Sequence, residues 1–189
     1  MKTRHALGAA SLGAATTYLL VVKGALTLDT GIGRQTRPLG PIHVNISAPP
    51  EIVFDVIASP YLAKTPHAMQ GKLRVLERGH DMVLAEHFTA LRGGLEATTL
   101  EIVRFERPSL ISFRLVRGPV PHVSETFQLE ATDIGTHFTY SGDIGADFWG
   151  VGKWWSNRVA PRWEQAVAAS LADVTTEAER RALPRTTPT

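Results

Sequence analysis

The sequence predicts an α+β fold in which a curved antiparallel sheet wraps around one long C-terminal helix. Six extended runs follow one another between Lys72 and Ile144 with only short turns between them, the pattern of an antiparallel meander. From Phe148 to Arg181 the apolar period becomes helical, with Trp155, Val159, Trp163, Val167, Leu171 and Val174 recurring every three or four residues. A curved sheet cannot bury its concave face on itself, so the long helix must fill it.

The chain opens with the basic stretch Met-Lys-Thr-Arg-His, and Ala6 to Val22 then carries no charge. Lys23 interrupts, and Gly24 to Leu28 is again mostly apolar. With Lys23 snorkelling to the interface, residues 1–28 just reach the length of a spanning helix, about 20 residues. We therefore expect an uncleaved, single-pass signal-anchor that associates the protein with a membrane. A cleaved signal and an N-terminal helix packed on the domain are the alternatives. Lys2 and Arg4 on one side and Lys23, Arg34 and Arg37 on the other leave the orientation open. Residues 29–40, rich in Gly and polar groups, read as a linker. The domain is expected over 41–182, and 183–189 is a frayed tail.

Within the domain, Ile42, Val44 and Ile46 alternate with polar residues as a half-buried strand does. Ser47-Ala-Pro-Pro-Glu starts a helix with the stripe Ile52, Val53, Val56 and Ile57, and Ser59-Pro60 ends it. A second short helix is expected from Tyr61 to Met69. The extended runs are Lys72–Arg78, Met82–Thr89, Ala97–Glu106, Leu110–Arg117, His122–Thr132 and Thr136–Ile144, the last two joined by an Asp133-Ile134-Gly135 turn. Pro161 should kink or break the last helix near Val159–Ala160.

The opening strand followed by Ser-Ala-Pro-Pro-Glu-Ile-Val-Phe-Asp-Val-Ile (Ser47–Ile57), the Thr132–Thr136 turn before an alternating strand, and the amphipathic last helix together resemble START-like proteins of the SRPBCC superfamily, of the polyketide cyclase/dehydrase and lipid transport type. The resemblance covers Pro41 to Ala182. It implies the helix-grip fold and a cavity between sheet and helix for a lipid-, quinone- or polyketide-like molecule. It supplies no single catalytic motif to carry over, so the fold does not name a reaction.

Strand parity places Ile111, Phe113 and Leu115 on one face, opposite Val123, Glu125, Phe127 and Leu129, and Phe138, Tyr140 and Ile144. Glu125 therefore points inward among apolar neighbours. Met82, Leu84, Glu86 and Phe88 share a face, which sends Glu86 inward as well. In the run from Ala97, Leu100 and Ile102 compete with Glu101, Val103 and Phe105, and a one-residue slip reverses the answer. The expected lining is Glu86, Phe113, Glu125, Phe127 and Tyr140 from the sheet, Trp155 and Val159 from the long helix, and His67 from the short one. An inward carboxylate acquires a raised pKa and serves as general acid or base, whereas a pair with Arg117 or Arg158 makes it structural.

A net charge of +2 with both signs interspersed gives no electrostatic footprint for nucleic acid, so no such partner is expected. The absence of cysteine excludes disulfides and thiol catalysis. The seven histidines show no metal-ligand spacing, and no nucleotide fingerprint or catalytic triad motif is present, so no metal or cofactor is called for. The leading expectation is binding or carriage of a hydrophobic small molecule near a membrane. The alternative is a cyclase or dehydratase that uses Glu125 as proton shuttle, with Tyr140 or His67 assisting.

Overall fold

A computed structural model of the chain describes residues 13, 15–62, 71–91 and 94–183. Seven strands form one antiparallel sheet: β1 (Gln35–Ile46), β2 (Leu73–Arg78), β3 (Met82–Ala90), β4 (Glu96–Glu106), β5 (Leu110–Arg117), β6 (His122–Thr132) and β7 (Gly135–Ala146). Helix α1 (Pro50–Leu62) crosses between β1 and β2, and α2 (Trp149–Ala182) ends the fold. The spatial order is β1-β7-β6-β5-β4-β3-β2, a meander closed by the return of the first strand beside the last.

The alternation that defines the strands also builds the core. Val83 and Ala85, Val103, Ile111, Phe113 and Leu115, Val123 and Leu129, and Phe138, Tyr140 and Ile144 all face inward and are buried. From α1, Val53, Phe54, Val56, Ile57 and Tyr61 join them, and from α2, Ala160, Leu171 and Ala178. Phe54, Phe138 and Tyr140 are almost fully enclosed; burying each aromatic side chain is worth about 2–3 kcal/mol.

Several expectations need correction. Residues 15–22 are helical, but the helix stops at Gly24, which takes φ +69°. The Gly24 N–H donates to Val21 O and the Ala25 N–H to Leu20 O, the paired bonds of a glycine C-cap. The chain then lies along the domain: Thr98 N–H donates to Lys23 O, Thr27 and Gly118 exchange two hydrogen bonds, Val22 is buried, and the Tyr18 ring meets Trp155 edge-on. Among the described residues no helix is long and apolar enough to cross a membrane, so the expected single-pass anchor is not found. Too many of its residues are Ala and Gly, and the glycine cap cuts the run short.

The stretch expected as linker is strand from Gln35 onward, paired with β7 starting at Gln35–Ala146. Helix α1 runs through Pro60 to Leu62. The rest of the expected second helix, including His67, lies outside the described residues. Helix α2 is continuous through Pro161 rather than broken there. Pro161 is exposed, so water can satisfy the carbonyl that its missing N–H leaves free. Leu183 follows α2 in extended conformation, and the remainder of the expected tail is outside the described residues.

Candidate functional site

On β6, Glu125 sits between Val123 and Phe127 on the inner face and pairs across the sheet with Phe113 on β5 and Gly142 on β7. The residue is buried. Its Oε1 accepts the Tyr140 hydroxyl at 2.5 Å and the Trp163 indole N–H at 2.7 Å, so β7 and α2 converge on one oxygen. No hydrogen bond from the described residues reaches Oε2. Burial pushes the Glu125 carboxyl up to about 7; Tyr140 and Trp163 restrain the rise, and the negative charge of Glu101 adds to it. Gly142 gives the side chain its room, since a Cβ there would stand 3.1 Å from the Glu125 side chain and 2.5 Å from the Ser124 carbonyl.

A second polar group lies on the inner faces of β3 and β4. The ambiguous run resolves as Thr99, Glu101, Val103 and Phe105 inward, because Glu101 pairs across with core residues Ala85 and Leu115. Glu101 Oε1 accepts the Thr99 hydroxyl at 2.6 Å. His87 Nδ1 lies 3.2 Å from Glu101 Oε2 but points off the line of a hydrogen bond, while Nε2 meets the Tyr61 hydroxyl at 2.9 Å. Burial disfavours both charges, yet their mutual attraction prevails: His87 titrates above its ordinary value and Glu101 below its own. Tyr61 is pushed well above the usual phenol range, by burial first and then by Glu101 and Glu125.

Between these groups runs a wall of rings. Tyr61 contacts Phe113 with centroids 6.4 Å apart, Phe113 contacts Phe127 at 4.7 Å, and Phe127 contacts Tyr140 at 5.8 Å. Phe127 faces inward from mid-strand yet keeps partial exposure. Trp155 and Val159 are half-buried against the same core, and the Trp155 indole donates to Pro119 O at 2.7 Å.

Of the expected lining, the structure thus brings together Phe113, Glu125, Phe127, Tyr140, Trp155 and Val159. Glu86 is a correction: it lies on the opposite face from Ala85 and His87, where Arg74 Nε donates to it at 2.9 Å and Arg117 approaches to 3.6 Å. Sequence parity chose the wrong face of β3 because both faces carry apolar residues. For the same reason it missed His87, and it missed Tyr61, which read as the start of a separate helix. The Trp163 indole, read only as core, is a donor to Glu125. No group of three or more His, Asp or Glu among the described residues is arranged to hold a metal.

The profile of the polyketide cyclase / dehydrase and lipid transport family matches residues 42–179. The chain belongs to that family. No curated protein matches it by sequence. Among solved structures, the Zhui aromatase/cyclase from a Streptomyces species superposes with TM-score 0.65 at 18% identity over 82% of this chain and 100% of its own. Norcoclaurine synthase from Thalictrum flavum, in complex with dopamine and hydroxybenzaldehyde, gives 0.60 at 15% over 81% and 91%. A di-domain aromatase/cyclase of the steffimycin biosynthetic pathway gives 0.60 at 14% over 79% of this chain and 52% of its own. At these identities the likeness establishes the helix-grip fold and no activity.

Proposed function

We propose that this member of the polyketide cyclase / dehydrase and lipid transport family encloses a hydrophobic small molecule between the concave face and α2, and that Glu125 exchanges a proton with it. The observation that carries this reading is the state of Glu125: a buried carboxyl with two neutral donors on one oxygen, the other oxygen unengaged by the described residues, and a pKa raised to about 7. Such a group gives and takes protons near neutral pH, the condition for general acid–base work. Simple carriage of a ligand needs no such group, which favours chemistry over transport. The ring wall of Phe113, Phe127 and Tyr140, faced by Trp155 and Val159, suits a flat, partly aromatic ligand, and the solved relatives that handle aromatic compounds support that class.

Glu125→Gln keeps the shape and removes the proton transfer. The affinity of N-phenyl-1-naphthylamine should stay within about tenfold, ~1.4 kcal/mol, and its binding should show a negative heat-capacity change. Deuterium exchange into an aryl ketone at the carbon beside the carbonyl should fall by about 100-fold or more. Failure of the parent protein to bind the probe would remove the enclosed ligand, exchange that survives in the variant would remove Glu125 as the base, and a parent protein that binds without exchange would leave carriage as the function.

A further inference from the structure

Tyr61 stands at the end of α1, buried, with its ring against Phe105 and Phe113 and its hydroxyl on His87. His87 is in turn faced by Glu101, whose other oxygen is occupied by Thr99. These groups come from α1, β3 and β4, and Glu125 approaches the same space from β6. Strands in a sheet are about 4.8 Å apart, so the backbones of Glu101 and Glu125, two strands apart, are separated by about 10 Å across the sheet. On the strand between them stands Phe113, whose ring lies 4.7 Å from that of Phe127.

Glu101 Oε2 stands 3.2 Å from His87 Nδ1 and favours the imidazolium, which has no lone pair to offer. In that state His87 Nε2–H donates to the Tyr61 oxygen, and among the described residues nothing takes the hydrogen of the Tyr61 hydroxyl. A hydroxyl that only fastened α1 to the sheet would be the donor to His87 and have nothing left over. Tyr61 holds its proton firmly, because burial disfavours the phenolate and ionising it would also add negative charge beside Glu101 and Glu125. It is therefore a donor and not a base.

Resting on the reading of Glu125 above, we infer that Tyr61, set by the His87–Glu101 pair, donates its hydroxyl hydrogen to a carbonyl oxygen of the ligand and holds the oxyanion that forms there. The substrate class is then a hydrophobic aryl ketone or related carbonyl compound with an acidic C–H beside the carbonyl. The ionised Glu125 takes that proton. The C–H electron pair becomes the new C=C bond, and the carbonyl π pair moves onto oxygen, where Tyr61 donates to it. Return of the proton from Glu125 to carbon reverses the step with no other reactant. In this arrangement Tyr61 touches the reacting atoms, while His87 and Glu101 are positioning residues that act through it.

The test uses 4-nitrophenol, whose yellow phenolate mimics the oxyanion, and nitrobenzene, which lacks the hydroxyl. Bound to the parent protein, 4-nitrophenol should ionise at least about one pH unit lower than when bound to Tyr61→Phe, a factor of ten, since burial and the nearby carboxylates act on both complexes alike. His87→Gln should abolish that difference, while nitrobenzene affinity stays within about twofold in both variants. Nitrobenzene bound with 4-nitrophenol ionising alike in the parent and in Tyr61→Phe overturns the inference alone. Failure of both probes to bind overturns the enclosed-ligand reading with it. An NMR titration of His87 needs no ligand: its midpoint should lie above the ordinary histidine value in the parent and drop in Glu101→Gln, and an unchanged midpoint would remove the pair that sets Tyr61.

Discussion

Glu86 on β3 and Glu125 on β6 are buried to nearly the same depth, 7% and 6% exposed, but they lie on opposite faces of one sheet and meet opposite company. Two arginines reach over the outer face to Glu86, and their charge replaces the water it lost. Glu125 meets a phenol and an indole, which satisfy one oxygen and neutralise nothing. Desolvation therefore outweighs the two hydrogen bonds on Glu125 and lifts its carboxyl to about 7. Depth alone does not mark a functional carboxylate; the charge of its neighbours does. Glu101 stands between the two cases, since its neighbour His87 is a cation only while protonated.

The contrast is tested most strongly by pH. The folded Glu125 carboxyl binds its proton up to about pH 7, against an ordinary value of 4.5. Between those values the folded state holds a proton that the unfolded chain has released, so stability falls as pH rises from about 4.5 to about 7 and levels off above. A rise of that size corresponds to about 3 kcal/mol. Urea unfolding of the parent should show this loss relative to Glu125→Gln, and parallel curves for the two would mean that Glu125 is solvated. Glu101, lowered, contributes stability that is lost only below its ordinary value, and because His87 and Glu125 attract each other the difference reports Glu125 together with its coupling to His87.

A smaller effect sharpens the same point. Tyr140→Phe keeps the buried ring and removes one donor, at a cost of about 1–2 kcal/mol. Because the Tyr140 bond favours the ionised carboxyl, the Glu125 midpoint in a carbon-13 NMR titration should move further up. A midpoint that stays in place would assign the restraint to Trp163 alone. Smallest is the outer face: Arg74→Met should cost about 1 kcal/mol or less, since Arg74 is largely exposed and Arg117 remains, and salt should erase much of the difference. A loss above about 2 kcal/mol would show that Glu86 depends on one arginine.

The inward direction of Glu125 was legible in the sequence because β5, β6 and β7 alternate cleanly: Phe113, Phe127 and Phe138 share its face, and polar residues occupy most of the other. On β3 the same reasoning had no purchase. Met82, Leu84 and Phe88 on one face are as apolar as Val83 and Ala85 on the other, and only pairing with Leu73 on β2 and Val103 on β4 decides between them. His87 and Glu101 followed that undecided register, so half of the polar site stayed hidden. The sheet and the long helix were legible because their periods persist over many residues. The N-terminal run was misread because average hydrophobicity counts Ala and Gly as apolar, whereas a glycine cap decides where the helix stops.

Asp147, between β7 and α2, is enclosed by residues 29–34: the Thr30 and Gly31 N–H groups donate to it at 2.6 and 2.7 Å, and Arg34 Nε at 2.7 Å. The same segment accepts the N–H groups of Phe148 and Trp149, both held at positive φ where α2 begins. In mechanical terms this is a clasp placed at a fork. Strand β1 leaves the sheet at its N-terminal end, so a pull on the chain from that end would unzip it from β7 one hydrogen bond at a time, beginning at the Gln35–Ala146 pair. The clasp lies just upstream of that pair and takes the load before it does. With the Lys23 and Thr27 bonds to Thr98 and Gly118 already broken, force would have to tear an arginine and two backbone donors from a buried carboxylate before it could peel β1 away.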